Sequence, residues 1–170
     1  MKPSFFWLIS MVIMVLFLSN CSGNQIPDEA MPDIGLPIEN INRDIEMKSP
    51  NGFRNSFRNG ERLTLMLIGI SEYQIKFPMD YGSRLFAYRD DQWIEIENNM
   101  HYPTVEQYGE LIISPSRDDI LKQHVFSVVP YSPDLKTATP VRLIIVGNVV
   151  KNGKAANELT VGYFDFVLNP

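Results

Sequence analysis

Hydrophobic and polar positions divide the chain into two parts with different patterns. An almost unbroken apolar run extends from Phe5 to Leu18. From about Asp44 onward, short runs rich in β-branched and aromatic residues alternate with turn residues. The first pattern is typical of an export signal or a membrane anchor, and the second is typical of a β-rich globular domain.

The second pattern predicts nine strands, each bounded by residues that favour turns, such as Gly, Pro, Asn and Asp. The predicted strands are Ile45–Met47, Arg62–Ile68, Tyr73–Phe77, Arg84–Tyr88, Trp93–Glu97, Glu110–Ser114, His124–Val129, Val141–Val146 and Val161–Leu168. Helical character is confined to Asp118–Lys122. We therefore predict an all-β fold, a two-sheet antiparallel β-sandwich with an immunoglobulin-like or fibronectin-like outline.

Alternation within the predicted strands indicates which side chains point inward. Phe164, Phe166 and Leu168 alternate with Asp165, so the three apolar side chains are expected in the core. Leu63 to Ile68 is apolar on both faces and is expected in the middle of a sheet. The runs Arg84–Tyr88 and Trp93–Glu97 lie close enough in sequence to predict a hairpin, in which the isoleucines face inward and the glutamates outward.

The N-terminal apolar run is short for a membrane span. A span needs about 20 apolar residues, whereas the hydrophobic part of an export signal needs roughly 7–15. Lys2 precedes the run, and the small polar residues Ser19-Asn20-Cys21-Ser22-Gly23 follow it without a charged flank. This layout favours an export signal over residues 1–20. A short uncleaved anchor is the alternative.

The run Leu18-Ser19-Asn20-Cys21 ends in the only cysteine of the chain. Together with the preceding apolar run, it resembles the signal and lipobox of bacterial lipoproteins, although Asn20 stands where Gly, Ala or Ser is usual. The resemblance implies that Cys21 receives a diacylglyceryl thioether and becomes the first residue of the mature chain. It further implies a lipid-anchored protein of the bacterial cell envelope, on the extracytoplasmic face. Two or more acyl chains hold a protein stably on a membrane.

Removal of residues 1–20 takes away only Lys2 among the charged residues. The remaining 150 residues carry 14 Lys and Arg against 20 Asp and Glu, a formal charge of −6. This length suits one domain with a sizeable core. The acidic balance argues against nucleic acid as a partner and against docking on lipid through basic residues.

Residues 21–43 are predicted to form a tether between the lipid and a domain at 44–170. Pro27, Pro32 and Pro37 recur every five residues among polar residues, a spacing that disfavours helix and sheet. The apolar residues Ile34 and Leu36 (with Ile38 and Ile41) keep a second interpretation open, in which part of this segment lies along the domain.

Few residues point to catalysis, a metal or a cofactor. His101 and His124 have no local nucleophile motif, and we interpret both as structural or surface residues. The Asp90-Asp91 and Asp118-Asp119 pairs could contribute oxygens to Ca²⁺, but neither shows the spaced carboxylates of a known loop. A pair of aspartates in a hairpin turn is more often simply hydrated. We predict no catalytic residue, no metal and no cofactor.

Aromatic residues give the only binding signal. Tyr81, Tyr88, Trp93 and Tyr102 cluster around the predicted hairpin and form the candidate binding surface. By the same alternation, Trp93 shares a face with Glu95, which indicates that its ring is partly exposed. The alternative for Trp93, which we favour, is a packing role at a sheet edge or at the end of the core.

Three functions remain open. The leading hypothesis is a non-catalytic, lipid-anchored envelope protein that binds a protein partner or supports an envelope complex. The alternative is a carbohydrate-binding module that uses exposed aromatic rings. A hydrolase with dispersed catalytic residues is the third, and a deep cleft with His or paired carboxylates would favour it.

Overall fold

The computed structural model describes residues 31–36, 41–42, 44–50, 52, 54–104, 106, 111–114 and 124–170, without the side chains of Ala155 and Asn157. These residues form eleven strands. They are β1 (Ile45–Lys48), β2 (Ser56–Arg58), β3 (Leu63–Gly69), β4 (Gln74–Phe77), β5 (Arg84–Arg89), β6 (Gln92–Asn98), β7 (Leu111–Ile113), β8 (His124–Val128), β9 (Pro130–Tyr131), β10 (Thr139–Lys151) and β11 (Lys154–Asn169).

The strands form two sheets. The small sheet has the order β1-β3-β8, and the large sheet has the order β2-β11-β10-β5-β6-β9, with β4 paired to β10 and β7 paired to β4. Buried side chains from both sheets, such as Leu65 of β3 and Leu143 of β10, belong to one apolar cluster. The all-β sandwich-like fold predicted from the alternation is therefore confirmed.

The inward faces follow the predicted alternation at several strands. Phe166 and Leu168 are buried in the common core, and Phe164 packs against it. The Phe57 and Phe166 rings meet edge to face, with centroids 5.7 Å apart. The β5–β6 hairpin is present, with Ala87 of β5 opposite Ile94 of β6. Strand β3 occupies the centre of the small sheet, as its apolar sequence predicts.

Strands β10 and β11 form a long hairpin that is the centre of the large sheet. The turn uses Asn152 and Gly153, which both have positive φ. Both strands extend well beyond their predicted bounds, because β11 begins at Lys154 and β10 continues to Lys151. The extra length of β10 lets it pair with β5 along its first half and with β4 along its second half.

Two features of the sheets depart from the prediction. Strand β2 pairs with the end of β11 in parallel, and Ile41 makes a parallel bridge to Val161, so the sandwich is not purely antiparallel. The short strands β2 and β9 were not predicted, since three and two residues carry almost no periodic signal. The predicted helical segment Asp118–Lys122 lies outside the described residues.

Residues 31–36, which we call the strap, lie against the outer face of the large sheet. Ile34 is 6% exposed, and it packs with Phe86, Ile144 and Val161 in a second apolar cluster. Farther along, Asn42 donates its backbone N–H to the Val161 carbonyl at 2.7 Å, which fixes the chain to β11. These residues belong to the predicted tether, so contact with the sheet begins before the predicted domain boundary at residue 44.

Candidate functional site

The candidate site lies on the outer face of the large sheet, where β5, β6, β10 and β11 run side by side. Alternation sends one set of side chains into the core and the other set outward. In the ladder, Arg142 of β10 stands directly opposite Asp165 of β11 and Phe86 of β5. The next outward pair is Ile144 opposite Tyr163. We call this region, together with Trp93 of β6, the outer-face site.

Arg142 is the central residue of the outer-face site, and its side chain is 1% exposed. Its Nε and Nη2 atoms donate to the two carboxylate oxygens of Asp165, each at 2.8 Å. Such a bidentate arrangement matches the planar guanidinium to the carboxylate and offsets part of the cost of burying the charge. The ion pair holds two neighbouring strands in one register on this face.

Aromatic rings surround the Arg142 guanidinium. The Tyr163 ring centroid lies 4.3 Å from its Cζ atom, and the Trp93 ring centroid lies 5.1 Å away. Both distances are within the range of a cation–π interaction, which gains strength when the cation is shielded from water. Trp93 also contacts the Tyr88 ring, with centroids 5.1 Å apart.

The strap covers this arrangement. Arg142 Nη1 lies 3.4 Å from the Met31 sulfur, and Met31 packs against the same apolar cluster as Ile34. The Ile34 carbonyl accepts a hydrogen bond of 2.9 Å from Arg84 Nη1. The strap is not part of a strand of either sheet. Side-chain contacts and the bond from Arg84 to the Ile34 carbonyl are among the interactions that hold it. The outer-face site thus accommodates a short piece of polypeptide that ends in a bend at Gly35 and Leu36.

A second ion pair lies beside the strap. Arg84 donates to both oxygens of Glu95, at 2.8 and 2.6 Å. The hydrogen bond from Arg84 lowers the pKa of Glu95, and the pKa of Arg84 is raised by that bond and, to a smaller extent, by the charges of Glu95 and Asp33. Since Asp33 belongs to the strap, the strap brings negative charge toward a cationic side chain of the sheet.

The four aromatic residues of the predicted binding surface do not form one surface. Tyr81 is 7% exposed and packs in the common core against Phe77 and Phe126. Tyr102 donates to the Ser127 carbonyl and accepts from Asn98, so it connects the end of β6 to the small sheet. These two side chains have structural partners within the fold.

Trp93 and Tyr88 are adjacent and remain on the outer side of the large sheet. Trp93 is partly buried and packs with the strap cluster, which agrees with the packing role favoured from the sequence. Trp93 shares a face with Glu95 as predicted, because Trp93 contacts Arg142 on the outer face and Glu95 pairs with Arg84 beside the strap on that same face. Its position in the outer-face site gives it a neighbour that the sequence did not indicate, the Arg142 guanidinium.

Tyr88 also lines a polar cleft of about 540 Å³ at the end of the β5–β6 hairpin. The other side of the cleft is formed by residues 134 and 136–140. Side chains that can form hydrogen bonds line it, namely Arg89, Asp90, Asp91, Asp134, Lys136, Thr137 and Thr139. Asp90 and Asp91 occupy the hairpin turn, both with positive φ.

The remaining candidate residues are separated from one another. His101 is exposed after the end of β6, and His124 is partly buried at the start of β8, where burial lowers its pKa. Within the described ranges, no three His, Cys, Asp or Glu side chains are arranged so that they could hold a metal ion. Cys21 and Asp118-Asp119 lie outside the described residues.

Arg142, Asp165 and the strap were not identified as a site from the sequence. A signal was present, because Val141-Arg142-Leu143-Ile144-Ile145 places one charge within an apolar run, and Phe164-Asp165-Phe166 does the same. A charge in such a run requires a partner when it is buried. Only the pairing of β10 with β11 shows that these two residues are partners.

Comparisons with known proteins leave the family open. The sequence matches no protein-family model and no curated protein. Among solved structures, it is similar to the crystal structure of Spo0M, a sporulation control protein from Bacillus subtilis, with a TM-score of 0.37 and 14% identity. The match covers 75% of this chain and 49% of that chain, and at this level it carries no information on function. Among the described residues, none forms a helix long and apolar enough to cross a membrane.

Proposed function

We propose that this protein is a lipid-anchored protein of the bacterial cell envelope that binds a protein partner, without catalysis, at the outer-face site. The observation that carries the binding part is the strap, because a short segment outside the sheets, with Ile34 buried and its carbonyl hydrogen-bonded, occupies that face. The anchoring part rests on the apolar run and on Leu18-Ser19-Asn20-Cys21.

The character of the outer-face site supports protein binding over catalysis. Each cation on the face is already neutralised by a carboxylate, Arg142 by Asp165 and Arg84 by Glu95. Aromatic and aliphatic side chains, including Trp93 and Ile144, surround these pairs. Arginine and tryptophan are the side chains that most often dominate protein–protein interfaces.

The anchor is tested by replacing Cys21 with serine, which cannot form the thioether. The Cys21→Ser protein should leave the membrane fraction, whereas the unsubstituted protein should remain there until detergent is added. If the variant stays with the membrane and resists carbonate extraction as the unsubstituted protein does, the anchor is the apolar run itself and the lipidation proposal is wrong.

The partner is tested by photo-crosslinking in intact cells, with the reactive group placed at Glu95, an exposed residue of β6 beside the outer-face site. Val125, on the opposite outer face of the small sheet, is the matched control because it is 61% exposed. A protein adduct formed from Glu95 and not from Val125 supports the proposal. Adducts from Val125 alone would move the partner to the small sheet.

A second candidate function is saccharide binding in the polar cleft, because Tyr88 presents a ring beside carboxylate, hydroxyl and cationic side chains. Trp93 contacts Tyr88 and is the only tryptophan after Cys21, so its fluorescence reports on the cleft. A soluble glycan that shifts this emission, with the effect lost in Tyr88→Ala, would support the candidate. Emission that is insensitive to a broad glycan panel would remove it.

A further inference from the structure

Only half of the strap residues contact the outer-face site. Met31, Pro32 and Ile34 face the sheet, whereas Asp33, Gly35 and Leu36 are exposed, Leu36 by 45%. Gly35 N–H bonds to Asp33 within the strap instead of to a strand. The strap therefore resembles a short peptide ligand that is covalently joined to its receptor.

We infer that the outer-face site is a receptor for a short peptide segment of a partner protein, and that residues 31–36 are its resident competitor. This inference rests on the proposed function, since it specifies the partner of the same site. The contacts made by the strap define the chemistry that a partner must present.

Three requirements follow from these contacts. An aliphatic side chain fills the place of Ile34, next to Phe86 and Ile144. An acidic side chain just before it accepts a hydrogen bond from the backbone two residues on, as Asp33 does from the Gly35 N–H. A thioether or aliphatic side chain three positions before Ile34 reaches Arg142, as Met31 does. The preferred partner is a segment of the form apolar–Pro–acidic–apolar.

Displacement needs a ligand because an empty site is unfavourable. Removal of the strap alone would expose Phe86, Ile144 and Val161, which are at most 4% exposed with the strap in place. It would also open Arg142 to water next to its aromatic neighbours. The strap is thus expected to leave only when another segment makes the same contacts, which is a competition between two ligands for one site.

The competition can be measured with a labelled synthetic peptide that carries the sequence of residues 29–36. The protein from Cys21 onward is compared with Ile34→Ser, which weakens the strap, and with Leu36→Ser, the matched control at an exposed strap position. Labelled peptide should bind Ile34→Ser at least tenfold more tightly than it binds the unsubstituted protein or Leu36→Ser. A peptide with serine at the Ile34 place should not bind.

Trp93 provides a second measurement of the same competition. Its emission should move to longer wavelength in Ile34→Ser, and added peptide should reverse the shift, because the peptide restores the cover over the ring. The thermal transition of each variant shows that the sheet remains folded, so loss of binding through unfolding is recognised directly.

Two results would overturn the inference. Equal peptide affinity for Ile34→Ser and the unsubstituted protein would show that the strap does not compete, and that the face is not a peptide receptor. A concentration-dependent dimer of the unsubstituted protein that disappears in Ile34→Ser would make a second copy of the strap the occupant. Neither result affects the anchor, because the Cys21→Ser experiment tests membrane attachment independently.

Discussion

Arg142 and Asp165 form an ion pair of the large sheet whose cost and benefit differ from those of the pair Arg84–Glu95. Both pairs are bidentate, so their hydrogen-bond geometry is closely matched. The difference lies in the cation, because the Arg142 side chain is 1% exposed, whereas the side chains of Asp165, Arg84 and Glu95 are all partly hydrated. Burial therefore decides which of the two pairs matters for stability.

Replacement of Asp165 by alanine should destabilise the protein by about 2–4 kcal/mol, because it leaves the Arg142 charge buried without its carboxylate. Glu95→Ala is the matched control and should cost less than about 1 kcal/mol, since exposed ion pairs contribute little. Urea denaturation of both variants measures the two costs. Equal small losses in the two variants would show that water reaches Arg142 once Asp165 is gone.

His124 gives the protein a predictable response to mild acid. Burial lowers its pKa in the folded state, so the unfolded chain takes up a proton more readily between pH 7 and 5. The contribution of neutral His124 to stability is present above its unfolded pKa of about 6.5 and is lost as pH falls toward the folded value. Stability should therefore decline on acidification.

His124→Gln tests this response, because glutamine is polar but does not titrate. Chemical denaturation at pH 7, 6 and 5 should show a smaller decline for the variant than for the unsubstituted protein. His101→Gln is the control, since His101 is exposed in the loop after β6. If the His124→Gln curve runs parallel to the unsubstituted one, other groups cause the loss of stability.

At the level of elements, hairpins and core faces could be predicted from the sequence. The full length of the longest strands and the presence of the shortest ones could not. The β5–β6 hairpin and the inward face at Phe166 follow from period-two alternation. Strand β11 was predicted to begin at Val161, whereas it begins at Lys154. Its first part, Lys-Ala-Ala-Asn-Glu, lacks β-branched residues, and pairing with β10 determines its structure.

Gly147 explains how two strands can share one edge of β10. The side chains of Ile75 and Phe77 from β4 cross this point, and a Cβ atom at Gly147 would lie 2.6 Å from Ile75 Cγ2 and 2.8 Å from Phe77 Cε1. Any other residue would force these core side chains apart. A glycine inside a strand often marks such a close approach.

Gly147→Ala should therefore destabilise the protein by about 1–3 kcal/mol, the usual cost of overpacking. In an Ile75→Ala background the same substitution should cost less, because the nearest clashing atom is gone. Thermal or urea denaturation of the four proteins gives the coupling between the two positions. Full additivity of the two losses would indicate that Gly147 is required for a reason other than contact with Ile75.

For the whole molecule, the sequence predicted the two-layer architecture but not the position of its N-terminal segment. Recurring prolines at 27, 32 and 37 predicted a tether, and prolines do keep a chain extended. An extended segment can lie on a surface as well as in solvent. Ile34 decides between these states, because the outer-face site buries it, and that site exists only after four separate strands have assembled.

The strap should control how far the domain extends from the membrane if Cys21 carries the lipid. With the strap bound, residues 22–30 separate the lipid from the sheet, which permits about 30 Å at full extension. With the strap released, the next described contact with the sheet is the bridge at Ile41, and residues 22–40 permit at most about 65 Å. As flexible coils these lengths have mean spans of about 17 and 24 Å.

Energy transfer from a donor on the domain to acceptor-labelled lipids measures this distance on vesicles. Ile34→Ser should show lower transfer efficiency than Leu36→Ser, because only the first substitution weakens the buried contact of the strap. Addition of the peptide with the sequence of residues 29–36 should lower the transfer of the unsubstituted protein toward the Ile34→Ser value, since the peptide displaces the strap. Equal transfer in all three proteins, with and without peptide, would show that the strap does not set the reach of the domain. If Ile34→Ser and Leu36→Ser differ in transfer but added peptide changes neither value, the strap sets the reach of the domain without being displaced by peptide.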